Sequence, residues 1–178
     1  ISITHRDIKD HRKRKNFDHD VLRITYLGPA KPFKGFQFLI GVLDDIWRET
    51  PGKFELHIYT NTNVEREYIT HKQEGYPYSQ LEEIFDNTDL LIAPSQWYET
   101  FGFTVLEALS YGVPVMVTDS VGAKDIVCNI SPELVLSGDK FGLKKLDLRS
   151  YNRKIMSSET IIKTELAHER GILEVYEK

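Results

Sequence analysis

Four short apolar runs constrain the architecture more than any other feature: "VLRITYLG" (21–28), "FELHIYT" (54–60), "DLLIAP" (89–94) and "VPVMV" (113–117). They are close to continuously apolar, as strands must be when both faces of their sheet are covered. Between them lie segments of helical period. "KGFQFLIGVLDDIWRE" places Phe36, Leu39, Ile40, Leu43, Ile46 and Trp47 at helical spacing. "YSQLEEIFDNT" reads as a shorter helix, with Ser79 expected to cap its first turn. A third helix opens near Gly102 or Phe103. Strand, helix and strand in alternation predict an α/β fold: a parallel sheet with helices on both faces. Further along, 125–127 and 141–146 read as helices, 133–136 as a strand and 157–178 as a closing helix.

Residues 1–18 are polar and without periodicity, and read as a linker or lead-in to one domain over 19–178. Their "HRKRK" is expected to be a solvated charge run. The 178 residues, 40% hydrophobic and 28% charged, suit a globular domain. A net charge of −4 argues against a general nucleic-acid binder, which carries a basic face. Cys128 is the single cysteine, so no internal disulfide framework exists and a reducing, cytoplasmic setting is expected. No run is long and apolar enough for a transmembrane helix. The six histidines show no metal-ligand spacing, so no metal site and no cofactor are expected.

In a parallel sheet of this kind ligands collect beyond the carboxyl ends of the strands. Two junctions there carry chemistry. The first, "GPAKPFKG" (28–35), turns from strand to helix; its N–H groups and Lys34, with Lys31, suit a phosphate. It lacks both the Gly-Lys-Ser/Thr ending and a G-x-G-x-x-G. The second junction is "SQWYETFGFTVLEALSYGVPVMVTD" (95–119), with Glu99 before the helix start and Glu107 in the second turn. Helical side chains tilt toward the N-terminus, so Glu107 is expected to reach the mouth that Glu99 approaches from the loop. Amide donors around Phe101, Gly102, Phe103 and Thr104 would lie between them. Carboxylates that accept from vicinal hydroxyls, beside donors for phosphate, suggest a sugar nucleotide. Trp97 and Tyr98 have two readings, lining the cleft or, as aromatics beside a strand end more often do, packing into the core.

"YLGPAKPFKG", "YSQLEEIFDNTDLLIAPS", "ETFGFTVLEAL" and "GVPVMVTDSVGAKDIV", in this order over about residues 21–127, resemble the C-terminal, donor-binding domain of retaining GT-B glycosyltransferases of family four. The resemblance implies a Rossmann-like domain, one half of a GT-B fold. It implies transfer of a hexose-type sugar, with retention, from a nucleotide diphosphate donor (UDP-, GDP- or ADP-linked) to an acceptor. Carried over by position, Lys34 and Gly28, with Lys31, would serve the diphosphate. Glu99, the catalytic candidate, would touch hydroxyls of the transferred sugar. Phe101, Gly102, Phe103 and Thr104 would offer amides, and Glu107 would hold the ribose diol. The same resemblance implies a missing N-terminal acceptor domain of the same chain, which could place the enzyme at a membrane surface. The 178 residues alone would bind donor weakly and transfer little.

The chain departs from the family pattern at Pro29, where an arginine is usual, at "YTNTN" (59–63), at Val121, where a glycine is common, and at Asp125, where a glutamate is common. Pro29 brings neither charge nor N–H. Two other readings stand beside the transferase: a non-catalytic module of the same fold that has lost donor binding, and a sugar-nucleotide epimerase of related architecture.

Overall fold

The computed structural model describes residues 8, 10–100, 102–136, 154 and 156. The expected helices at 141–146 and 157–178 lie outside them. Six parallel strands form one sheet: β1 (Leu22–Tyr26), β2 (Phe54–Ile58), β3 (Ile69–Lys72), β4 (Leu90–Ala93), β5 (Val115–Thr118) and β6 (Val135–Leu136), in the order β3-β2-β1-β4-β5-β6. Four helices connect them: α1 (Phe36–Glu49), α2 (Leu81–Asp86), α3 (Phe103–Ser110) and α4 (Lys124–Ile130). The chain leaves β1, builds outward to β3, then crosses back to lay β4 on the other side of β1. The α/β, Rossmann-like parallel sheet expected from the apolar runs is therefore present.

Burial explains the elements. In α1, Phe36, Leu39, Ile40 and Leu43 are buried while Ile46 and Trp47 pack against the same core from its edge. Each such side chain contributes about 1.5–3 kcal/mol on burial. Trp47 meets Phe54 edge-on at 5.3 Å and Tyr68 at 5.5 Å, which ties the end of α1 to β2 and to the crossover before β3. All four residues of β5 are buried, as its unbroken apolar run requires.

Asp89 is the main polar fixture. Its side chain is fully buried and accepts from the Arg23 guanidinium (2.8 Å), the Arg23 N–H (2.8 Å) and His19 (2.6 Å), joining β1 to the start of β4. Burial pushes its carboxyl upward, but the Arg23 and His19 hydrogen bonds prevail and hold it below the ordinary range. The described part of the lead-in is attached to the domain. His11 N–H donates to the Ser110 carbonyl (2.8 Å) and its ring stacks on Tyr111 at 4.8 Å. Lys13 pairs with Glu82 (2.9 Å), and Lys15 donates to the Phe85 carbonyl. Within "HRKRK", His11, Lys13 and Arg14 remain exposed, as a solvated run should be, while Arg12, which pairs with Asp10, and Lys15 are partly covered.

Ser79 does not cap α2. It lies inside a 3-10 turn, Tyr78–Gln80, that runs into the helix, and no side chain caps either element. The strand expected at 133–136 is shortened to β6 by the 3-10 turn Pro132–Leu134. β3, "ITHK", is an edge strand that no apolar run announced.

Candidate functional site

β1 and β4 are neighbours whose connections leave in opposite directions along the sheet, so a crevice opens beyond their carboxyl ends. A cavity of about 1120 Å³ occupies that crevice. It extends sideways over the end of β2 and the turn after β3, so it spans three strand spacings, about 14 Å.

The loop after β1 forms one wall. Gly28, Pro29, Phe33 and Lys34 line the cavity. Pro29 caps the crevice with its carbonyl, which accepts from the Tyr26 hydroxyl (2.9 Å) and the Lys31 N–H (2.7 Å). Burial pushes the Tyr26 phenol well above its ordinary range, and the Glu99 charge adds to the effect, so it stays protonated as a donor. A 3-10 turn, Pro32–Lys34, then ends at Gly35 with φ of 71°. Gly35 is needed twice over: for that φ, and because a Cβ there would stand 1.9 Å from the Pro94 carbonyl oxygen. This contact presses the Lys34 turn against the end of β4. Gln96 N–H donates to the Phe33 carbonyl at 2.9 Å and locks the two loops together.

The loop after β4 forms the other wall. Ser95 is buried; its carbonyl accepts from Thr118 (2.5 Å), and its hydroxyl donates to Glu99 Oε1 (2.5 Å). Lys34 Nζ reaches the same Glu99 oxygen, with the two side chains 31% and 18% exposed. Glu99 N–H donates to the Ser120 carbonyl at 2.9 Å, so backbone and side chain are both held. Gly102 precedes α3 with φ of 89°, and a Cβ there would lie 3.0 Å from Val121 Cγ1 and 3.5 Å from Glu99 Oε2. The buried Val121 methyl thus fills the space that Gly102 leaves open.

Of the residues singled out in the sequence, the structure gathers Gly28, Lys34, Glu99, Gly102, Phe103 and Thr104 around one cavity. Lys31 is exposed and is not among the lining residues. Phe101 lies outside the described residues. Glu107 sits in the second turn of α3 as expected, but it is 2% exposed and does not line the cavity. Of the two readings for Trp97 and Tyr98 the structure gives the cleft: they are 73% and 91% exposed and stand on the cavity rim, not in the core. Ser95 was missed because an isolated serine carries no sequence signal of its own. Glu74 and Tyr76, at the far end, were missed because only the sheet order brings the end of β3 to the crevice, whereas Tyr59 and Asn61 belong to the "YTNTN" stretch already singled out as a departure from the family pattern.

The arrangement offers a cation and a carboxylate within reach of each other, a helix amino end beside them, and an aromatic and polar far end. Among the described residues no group of His, Cys, Asp or Glu is placed to hold a metal ion, and no helix is long and apolar enough to cross a membrane.

The family model described as "Glycosyl transferases group 1" matches residues 7–137, well over half of the chain. A curated relative, glycogen synthase of Hydrogenovibrio crunogenus, is 28% identical over 134 residues, which cover 70% of this chain and 27% of that protein. The chain therefore spans about a quarter of that relative's length. Among solved structures, the C-terminal domain of a glycosyl transferase group 1 family protein (LpcC) from Francisella tularensis aligns with a TM-score of 0.60 at 15% identity, over 82% of this chain and 86% of that one. A trehalose-6-phosphate structure from E. coli, bound with UDP-2-fluoro glucose, aligns with a TM-score of 0.66 at 12% identity, over 87% of this chain and 44% of that one.

Proposed function

The chain belongs to the group 1 glycosyl transferases, and from that premise we propose that it is the nucleotide-sugar-binding half of a retaining transferase. The observation that carries the reading is the Lys34–Glu99–Ser95 constellation, mounted on two locked loops over the β1/β4 crevice. A diphosphate needs full positive charge as it departs, and Lys34 supplies it from the loop after β1. Hydroxyls of a hexose need acceptors, and Glu99 has a second oxygen besides the one that Lys34 and Ser95 share. The amino end of α3 directs N–H groups and its dipole at the space between.

The reaction breaks the bond between the anomeric carbon and the donor phosphate oxygen. The nucleoside diphosphate leaves with that electron pair, and the acceptor hydroxyl bonds the same carbon on the same face and loses its proton. Retention comes from the resemblance of the paired-glutamate segment to retaining enzymes. Lys34 lies against Glu99, so a donor phosphate competes with a carboxylate for the ammonium. That competition is the physical reason to expect weak donor binding. The exposed rings of Trp97 and Tyr98, with Phe33, present the surface that an acceptor-binding domain of the same chain would cover. Such a domain supplies positioning and excludes water.

A thermal-shift panel with UDP, GDP, ADP and their sugar conjugates tests the reading. Ligand at ten times its dissociation constant adds about 1.4 kcal/mol, a shift of about 3–6 °C for a domain of this size. Lys34→Ala, on a side chain about one-third exposed, should abolish the shift without loss of fold. No shift with any nucleotide at millimolar concentration would refute donor binding and favour the non-catalytic module.

A further inference from the structure

The far end of the cavity carries chemistry that the phosphate and sugar contacts leave unused. The residues after β2 (Tyr59, Thr60, Asn61) and after β3 (Glu74, Gly75, Tyr76) close it. This end is built, not loose. Gln73 N–H donates to the Ile58 carbonyl (3.0 Å), while the Gln73 side-chain amide bridges the Gly75 carbonyl and Gln80, both at 2.9 Å. Gly75 turns the chain with φ of 68°. Tyr59 and Tyr76 meet edge to face at 5.8 Å, offering flat apolar surface. Asn61 Nδ2 donates to Glu74 Oε1 at 3.0 Å, which fixes the carboxylate and leaves Oε2 as an acceptor. Glu74 is the single charged residue among the described residues that line this end.

Resting on the reading above, we infer that the donor's base is guanine, read by the Glu74 carboxylate. A carboxylate only accepts. Guanine presents two adjacent donors, N1–H and the N2 amino group, which match a carboxylate in a paired, charge-assisted arrangement. Uracil presents one N–H between two carbonyls, so a carboxylate oxygen there meets a like partial charge. Adenine and cytosine each place a ring acceptor beside their amino group and match it no better. The base can reach Glu74 because one cavity runs from the loop after β4, past the loops after β1 and β2, to the turn after β3, and β4 and β3 stand three strand spacings apart, about 14 Å. The UDP moiety of the E. coli structure does not bear on the base here, since at 12% identity only the fold carries over.

The test is a calorimetric titration of the intact 178-residue chain with GDP, UDP, ADP and inosine diphosphate, which lacks the N2 amino group. GDP should bind at least about tenfold tighter than the other three, the loss expected when a charged acceptor is left without its partner. Glu74→Gln should bring GDP to the level of inosine diphosphate and should not weaken UDP, which loses a like charge facing its carbonyls. Glu74 is exposed, and unaltered circular dichroism would show that the variant folds. UDP or ADP binding as tightly as GDP, or a GDP preference that survives Glu74→Gln, would overturn the base assignment and leave the donor reading intact. Absence of binding by every nucleotide would overturn both.

Discussion

Gly35→Ala probes the contact that joins fold to site. The substitution forces alanine into a left-handed conformation at φ of 71°, which costs about 1–2 kcal/mol. It also sets a Cβ 1.9 Å from the Pro94 carbonyl oxygen, against a floor of 3.0 Å, so backbone must move by more than 1 Å. Overpacking of that kind costs about 1–3 kcal/mol. Gly52 is the internal control: its φ is 76°, and nothing lies within 4 Å of its absent Cβ. Gly52→Ala should lose only the conformational part, and both variants gain the same small amount from a stiffer unfolded chain. The difference between them is then about 1–3 kcal/mol, or about 2–12 °C in Tm at this size. Urea denaturation with equal slopes for both variants measures it. Equal losses would refute the argument that the close approach of the two loops is built on Gly35. A smaller loss for Gly35→Ala would refute it more strongly.

Asp89→Asn should cost about 3–5 kcal/mol, because it breaks a buried pair and leaves the Arg23 charge behind. Asp89 has its carboxyl held below 3.8, so the stability it contributes is complete above that pH and is lost as pH falls through the lower folded value. Unfolding curves at pH 6 and pH 3 should show the wild type losing more on acidification than the variant does. Lys15 is pushed down from 10.5 to about 8 by burial, so the unfolded chain holds more protons between those values and stability contributed by this group rises from pH 8 upward. Lys15→Met should flatten that rise when the two are compared between pH 8 and 9.5. Ser95→Ala removes the hydroxyl that holds Glu99; nucleotide-sugar binding should weaken several-fold in calorimetry while binding of the nucleotide alone changes little.

The helices and central strands were legible because their residues report burial directly. Leu39, Ile40 and Leu43 fall at helical spacing and are all buried, and "VPVMV" is buried throughout. β3 was not legible, since an edge strand covered on one face needs few apolar residues, and "ITHK" has none fully buried. Ser79 had the chemistry of a cap and no cap to make, because Pro77 led the chain into a 3-10 turn one residue earlier. For Trp97 and Tyr98 the sequence left core and cleft open, because an apolar ring prefers burial; their loop is spent locking to Phe33 and leaves both rings at the rim.

The sequence by itself determined the strands and helices other than β3 among the described residues, that the sheet is parallel and covered, and that the 28–35 and 95–107 junctions hold the charged and glycine residues that line the cavity. Those features are local: periodicity, glycine placement and side-chain chemistry act over a turn or two. Only the tertiary structure determined that Lys34, Ser95 and Glu99 meet, that Glu107 is buried and off the cavity lining, and that Glu74 stands at the far end of the cavity. These depend on which strand lies beside which. An apolar run specifies that a strand is buried, not who its neighbour is, and the chain's return from β3 to pair β4 with β1 is a choice made by packing the whole sheet.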